Sequence, residues 1–180
     1  MDENSTPEST SEHLWIDWTE YHALIELLAL KIYHSGWKFD HVLCLARGGM
    51  RVGDTLSRVF EKPLAILSTS SYRAVGGTVQ GTLDIGQNIT MTGKTLSGRV
   101  LLVDDLVDSG LTLEAVCNEL PVRYPDVTEL RTAVLWQKPS SIFSPDYVVE
   151  VLVENPWIHQ PFERYDGVGI EFLLGKADPG

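Results

Sequence analysis

Arg99-Val100-Leu101-Leu102-Val103-Asp104-Asp105-Leu106-Val107-Asp108-Ser109-Gly110-Leu111-Thr112 is the stretch that decides the fold. Val100 to Val103 has the length and β-branched content of a buried strand. Asp104 and Asp105 close that run, and Asp108 follows three residues later. Ser109, Gly110 and Thr112 then open a helical pattern whose apolar face is Leu113, Val116 and Leu120. A strand ending in acids, followed by a small-residue turn into a helix N-terminus, suits a phosphorylated sugar. The acids accept hydrogen bonds from ribose hydroxyls. The turn offers backbone N–H groups, hydroxyls and the positive end of a helix to a phosphate.

Taken alone, the same residues also read as a solvated strand end with Asp108 or Ser109 as a helix cap. An acid pair after an apolar strand further resembles the magnesium-binding strand of a P-loop NTPase, and Gly93-Lys94-Thr95 lies just upstream. That loop requires a glycine where Asn88 stands, and it must open a helix. Only Leu96, Ser97 and Gly98 separate Thr95 from Arg99, so no helix fits.

Outward from this stretch, strands and helices alternate. Asp17 and Glu20 have capping-box spacing, and Tyr21, Leu24, Ile25, Leu28 and Ile32 recur at helical spacing up to Gly36. Phe39 to Ala46 reads as a strand, followed by Arg47-Gly48-Gly49 and a helical face of Val52, Leu56, Val59 and Phe60. Leu64–Leu67, Glu129–Trp136 and Tyr147–Val153 read as further strands. Alternation of this kind predicts an α/β domain with a mostly parallel twisted sheet covered by helices. Residues 69–98 are rich in Gly, Ser and Thr. They read as a functional loop or hairpin, with Thr82–Ile85 and Asn88–Met91 as its two arms.

The chain has 180 residues, 43 % of them hydrophobic and 22 % charged, which suits one domain with a full core. Residues 1–12 form a polar, acidic tail expected to be disordered, and the single domain is expected over residues 13–180. No apolar run has the length of a membrane span, and the N-terminus lacks the pattern of a signal peptide. The net charge is −11 with only 14 Lys and Arg, scattered along the chain, so nucleic acid is not an expected partner. Cys44 and Cys117 sit in apolar patterns, as free thiols in a reduced, cytoplasmic setting. The five histidines show no metal-ligand spacing.

With these residues in view, the chain resembles the type I phosphoribosyltransferases. Residues 100–112 match the family's signature for phosphoribosyl pyrophosphate (PRPP): apolar strand, two acids, two apolar residues, Asp, Ser or Thr, Gly, any residue, Thr. Arg47-Gly48-Gly49 matches the pyrophosphate loop, where the family often holds a non-proline cis peptide. Ser71-Tyr72 resembles the start of the flexible catalytic loop in the 6-oxopurine enzymes. Lys138-Pro139, Asp146-Tyr147-Val148-Val149 and Trp157-Ile158-His159-Gln160-Pro161 follow the order seen in bacterial xanthine-guanine phosphoribosyltransferases.

The resemblance spans about residues 37–165. It implies the type I phosphoribosyltransferase fold, with a core over about 37–154, a small base-binding hood over about 155–175, and a flexible loop over about 69–98. It further implies Mg2+-dependent transfer of phosphoribose from PRPP to a purine, releasing pyrophosphate and a nucleoside monophosphate. By this resemblance Asp104 and Asp105 hold the ribose hydroxyls and the Mg2+. Ser109, Gly110, Leu111 and Thr112 hold the 5′-phosphate, and Arg47, Gly48 and Gly49 the pyrophosphate. Asp108 is the general base, and Lys138, Trp157 and Ile158 form the purine site. A homodimer or homotetramer is implied as well. A closing loop would exclude water from the cationic ribosyl centre, and Arg73 and Lys94 are the cations it could bring.

Three departures from the family pattern stand out. Leu111 replaces a Gly or Lys, Phe162 replaces a Trp, and the loop from Arg73 to Gly98 is longer. Two alternatives stay open from sequence. One is a PRPP- or nucleotide-sensing regulator on the same fold. The other is an enzyme for a pyrimidine or adenine, against which Lys138 and Trp157 argue.

Overall fold

The computed structural model describes residues 13–71 and 83–174. Strand β1 (His13–Trp15) leads into helix α1 (Trp18–His34). The capping box at the head of α1 forms as expected. Asp17 Oδ1 accepts from the Glu20 N–H at 2.9 Å, and Glu20 Oε2 accepts from the Asp17 N–H at 3.0 Å. Helix α1 buries Tyr21, Leu24, Ile25, Leu28, Ala29 and Ile32, the face that the spacing predicted.

Among the described residues the main sheet has seven strands. Its elements follow as β2 (His41–Ala46), α2 (Met50–Val59), β3 (Leu64–Ser71), β4 (Leu83–Met91), β5 (Gly98–Val103), β6 (Leu106–Val107), α3 (Leu111–Arg123), β7 (Val127–Gln137) and β8 (Tyr147–Val151). Spatially the order is β4-β3-β2-β5-β7, with β8 and β6 also pairing β7. Every pair is parallel except β3 with β4.

Alternation along the strands feeds two cores. Val42, Cys44, Leu101 and Val103 pack with α1 and α2, whereas Leu43, Leu45, Val100 and Leu102 pack with Leu113, Val116 and Leu120 of α3. Strand β2 crosses through α2 to β3 on one side, and β5 crosses through α3 to β7 on the other. Their C-terminal ends therefore lie side by side where the winding reverses, the place where open α/β sheets bind ligands.

Three features add to the sequence reading or differ from it. The acid pair ends β5 at Val103, as the sequence reading has it, but a further two-residue strand, β6, follows it at once. Val103 and Tyr147 both pair Ala133, and Leu106 and Glu150 both pair Trp136, so β6 resumes on the β5 side of β7. Asp104–Asp105 is thus a short break in a continuing edge, held by the Leu135 N–H donating to the Asp105 carbonyl at 2.9 Å. Second, residues 83–91 are one strand rather than two arms. They pair antiparallel with β3, which runs on to Ser71, and Ile85, Ile89 and Met91 pack against the α3-side core. That pairing satisfies the edge of β3. Third, β1 pairs in parallel with β9 (Trp157–His159), so the hood draws on both ends of the chain. After β9 come a 3-10 turn (Glu163–Tyr165) and the short helix α4 (Glu171–Leu174).

Candidate active site

The first wall of the site is the loop after β2. The Ala46–Arg47 peptide is cis, as the resemblance led one to expect. The two glycines that follow lie against the break in the β5 edge. A Cβ on Gly48 would fall 2.5 Å from Asp105 Oδ1, and one on Gly49 would fall 2.5 Å from the Val103 carbonyl oxygen. The loop and the acid pair are therefore one packed unit, and only glycine fits the contact.

Asp105 is buried, and each of its carboxylate oxygens accepts one hydrogen bond. Its Oδ1 accepts from the Leu106 N–H at 2.7 Å, and its Oδ2 accepts from Gln160 Nε2 at 2.6 Å. Asp104 is half-buried and accepts from the Asp105 N–H at 3.0 Å. Burial, and then the charge of Asp105, push the Asp104 carboxyl well above the ordinary carboxylate range. Two adjacent hard carboxylates suit Mg2+, which uses one or two of them and leaves its other positions to water and phosphate oxygens. Among the described residues no cluster of three or more His, Cys, Asp or Glu side chains converges on a point, so a closed protein cage for a metal is not formed there.

The second wall is the turn into α3. Asp104, Val107, Asp108, Ser109, Gly110 and Thr112 line a hollow of about 240 Å³. Gly110 sits at the N-cap of α3 with φ +87°, and a Cβ there would meet Phe143 and Ser141 at 2.7 Å. Gly110 has no side chain to cap the helix, and the Leu111 N–H donates only at 3.4 Å to Ser109 Oγ, so the first turn can offer amides to an anion. The Leu111 side chain points to solvent, so its presence in the loop leaves the hollow open.

The third wall comes from the segment after β7. Lys138 Nζ stands 3.5 Å from Asp108 Oδ2, and the Lys138 N–H donates to the Val107 carbonyl at 3.0 Å. Ser140 Oγ lies 3.0 Å from Asn155 Oδ1 and 3.3 Å from the Asp108 carbonyl oxygen. Ser140 and Asn155 escaped the sequence reading because each is an ordinary loop residue until the fold joins them.

Arg47 opens onto a separate hollow of about 800 Å³, shared with Gly48, Arg51, Asp105, Phe162 and Asp166. Its guanidinium lies 3.7 Å from Asp166 Oδ1, an exposed pair of little energetic weight. Arg51 brings a second guanidinium, stacked 4.0 Å from the centre of the Phe162 ring. Nothing in the sequence marked Arg51, because its role depends on the hood folding over α2. Lys94 instead lines a hollow with Ile89, Arg123 and Tyr124 that shares no residue with the Arg47 or Asp108 hollows. Ser71 is the last residue of β3, while Tyr72 and Arg73 lie outside the described residues.

Trp157 is 52 % exposed, and Ile158 points into the core beside β1. Only the backbone of Ile158 is left to meet a ligand. Trp157 lines a third hollow with Trp15, Trp18 and His159, which meets the Arg47 hollow at Glu163 and Asp166. His13 Nδ1 lies 2.9 Å from His159 Nε2, and Trp15 stacks on His159 at 3.7 Å.

A family model described as the phosphoribosyl transferase domain matches residues 17–166. The chain belongs to the phosphoribosyltransferase family. The match begins at the cap of α1, well before the region in which the sequence resemblance was read. The xanthine-guanine phosphoribosyltransferase of Gluconobacter oxydans is 26 % identical over 164 residues, 91 % of each protein. The hypoxanthine/guanine phosphoribosyltransferase of Methanopyrus kandleri is 31 % identical over 85 residues. That match spans about half of each protein, 46 % of this chain and 45 % of that one. Among solved structures, the xanthine-guanine-hypoxanthine phosphoribosyltransferase of Helicobacter pylori aligns with a TM-score of 0.71 at 26 % identity. It covers 91 % of this chain and 99 % of that one. Family membership makes the chain an enzyme of the phosphoribosyl-transferring type, built on the mostly parallel sheet described above.

Proposed function

We propose that this phosphoribosyltransferase moves the 5-phosphoribosyl group of PRPP to N9 of a 6-oxopurine, yielding a purine nucleoside monophosphate and pyrophosphate. The observation that carries the choice of base is the position of Lys138 beside Asp108, with Nζ and Oδ2 3.5 Å apart. An ammonium group donates to a 6-oxo group and disfavours the 6-amino group of adenine. A carboxylate next to it is placed for the neighbouring N7.

In this reading the first-turn amides of α3, with the Ser109 and Thr112 hydroxyls, hold the 5′-phosphate. Asp104 and Asp105 orient the ribose 2′- and 3′-hydroxyls. Arg47 and the Gly48 and Gly49 amides hold the pyrophosphate. Trp157 stacks on the purine, and the Ile158 backbone reads its N1–C2 edge. Bound at Asp104 and Asp105, Mg2+ would supply charge neutralisation to ribose and pyrophosphate oxygens. The bond from ribose C1 to pyrophosphate breaks, and its electron pair leaves with the pyrophosphate. The purine N9 lone pair forms the new bond, and Asp108 takes the proton from N7. The reaction belongs to purine salvage in the cytoplasm, and its participants are small molecules.

The test is product identification. The chain is incubated with PRPP, Mg2+ and guanine, xanthine or hypoxanthine, and the nucleotide is identified by mass. Formation of the matching nucleoside monophosphate is expected. Its absence with all three bases contradicts the reading.

A further inference from the structure

Gln160 is only 4 % exposed, yet half of its polarity is unspent. Its Nε2 donates to Asp105 Oδ2 at 2.6 Å, while its Oε1 makes no hydrogen bond among the described residues. A carboxylate only accepts, so the amide nitrogen must be the end that faces Asp105. The Tyr21 hydroxyl is likewise buried and without a hydrogen-bond partner among the described residues. Burying an amide oxygen without a partner costs free energy. A side chain that merely filled this space would do better as Leu or Met. What Gln160 supplies, and an apolar residue cannot, is the donor to Asp105.

The contact joins three parts of the fold. Asp105 is gripped on its other oxygen by the Leu106 N–H at 2.7 Å. The Gly48 backbone closes against it so tightly that a Cβ would fall 2.5 Å from Oδ1. Gln160 grips it from the hood, one residue after β9 and two after Ile158. We propose that Gln160 is a positioning residue, which fixes the Asp105 carboxylate in the orientation PRPP requires and ties the hood to the acid pair. This rests on the reading of Asp105 as a PRPP-binding residue.

The test measures PRPP binding by calorimetry in the presence of Mg2+, for the wild type and for Gln160→Met, Asp105→Asn and the double variant. Gln160→Met should weaken PRPP binding by about 10-fold, the weight of a hydrogen bond to a charged group. Any rise in the KM for the purine should be smaller than the loss of PRPP affinity, because the pairing of β9 with β1 also holds the hood. In the Asp105→Asn background the same substitution should change affinity by less than about two-fold, because its effect travels through Asp105. Equal losses in both backgrounds, or no loss in a folded Gln160→Met, overturn the positioning role. A wild type that binds no PRPP overturns the reading of the acid pair itself. One measurement needs no variant at position 160. The side-chain amide signal of Gln160 in the wild type should be protected from hydrogen exchange and should shift when PRPP binds. Exchange at the rate of an exposed glutamine overturns the proposal.

Discussion

Lys138 and Asp108 form an ion pair at the mouth of the α3 turn, with Nζ and Oδ2 3.5 Å apart. Their surroundings differ sharply. The Lys138 side chain is 12 % exposed, whereas that of Asp108 is 58 % exposed. The lysine is held in place by packing and by its backbone bond to Val107, and the acid stays open to a ligand.

The first prediction concerns the acid. Asp108→Asn keeps the shape and removes the proton acceptor. It should lower kcat by about 100-fold or more, the usual weight of a general base, and leave PRPP affinity close to that of the wild type. Steady-state kinetics with calorimetry checks this, and unchanged turnover removes Asp108 from the mechanism.

The second concerns the lysine. Lys138→Ala should raise the KM for a 6-oxopurine by about 10-fold or more, as expected for losing a hydrogen bond from a charged donor. The KM for PRPP should not move. An equal loss for both substrates would show that Lys138 organises the whole site rather than reading the base.

The third concerns the loop after β2. Gly49→Ala places a methyl group 2.5 Å from the Val103 carbonyl oxygen, a backbone atom that cannot step aside. The strain should cost about 1–3 kcal/mol of stability, read as a lower Tm. Gly48→Ala meets the Asp105 carboxylate instead. Its main loss should be in PRPP binding, with a smaller change in Tm. Tolerance of both substitutions would contradict the packed contact between loop and acid pair.

The fourth concerns the thiols. Burial pushes Cys44 and Cys117 up to about 11. A raised thiol holds its proton at neutral pH, so at pH 8 on the order of one molecule in a thousand carries the thiolate that reacts. Iodoacetamide should therefore leave the folded chain unlabelled at pH 8 and modify both cysteines in urea, as read by mass spectrometry. Rapid labelling of Cys44 in the folded chain would contradict its burial.

The legible parts of this fold are those whose signals are local. The α1 cap lies within four residues, and the PRPP signature within fourteen, so both could be read in one pass along the chain. The glycines of the Arg47 loop were readable as part of a pyrophosphate loop, though not that they pack against Asp105 and Val103. What stayed hidden depends on distant pairing. Strand β1 is three residues long and gains meaning only beside β9. Gln160 stood in plain view within the Trp157–Pro161 motif, but its bond to Asp105 joins residues far apart in the chain. Arg51 needed Phe162 to fold over it. The Thr and Ser content of residues 69–98 hid a strand, because β4 is an edge strand that buries only part of its alternate side chains.

The most direct test of the central claim is a pyrophosphate-release assay with PRPP and Mg2+ against guanine, xanthine, hypoxanthine, adenine, uracil and orotate. The account predicts release with one or more of the three 6-oxopurines and none with the others. Release with adenine or a pyrimidine alone would contradict the role given to Lys138. No release with any base, while PRPP still raised the Tm, would contradict the transferase reading and make the chain a PRPP sensor.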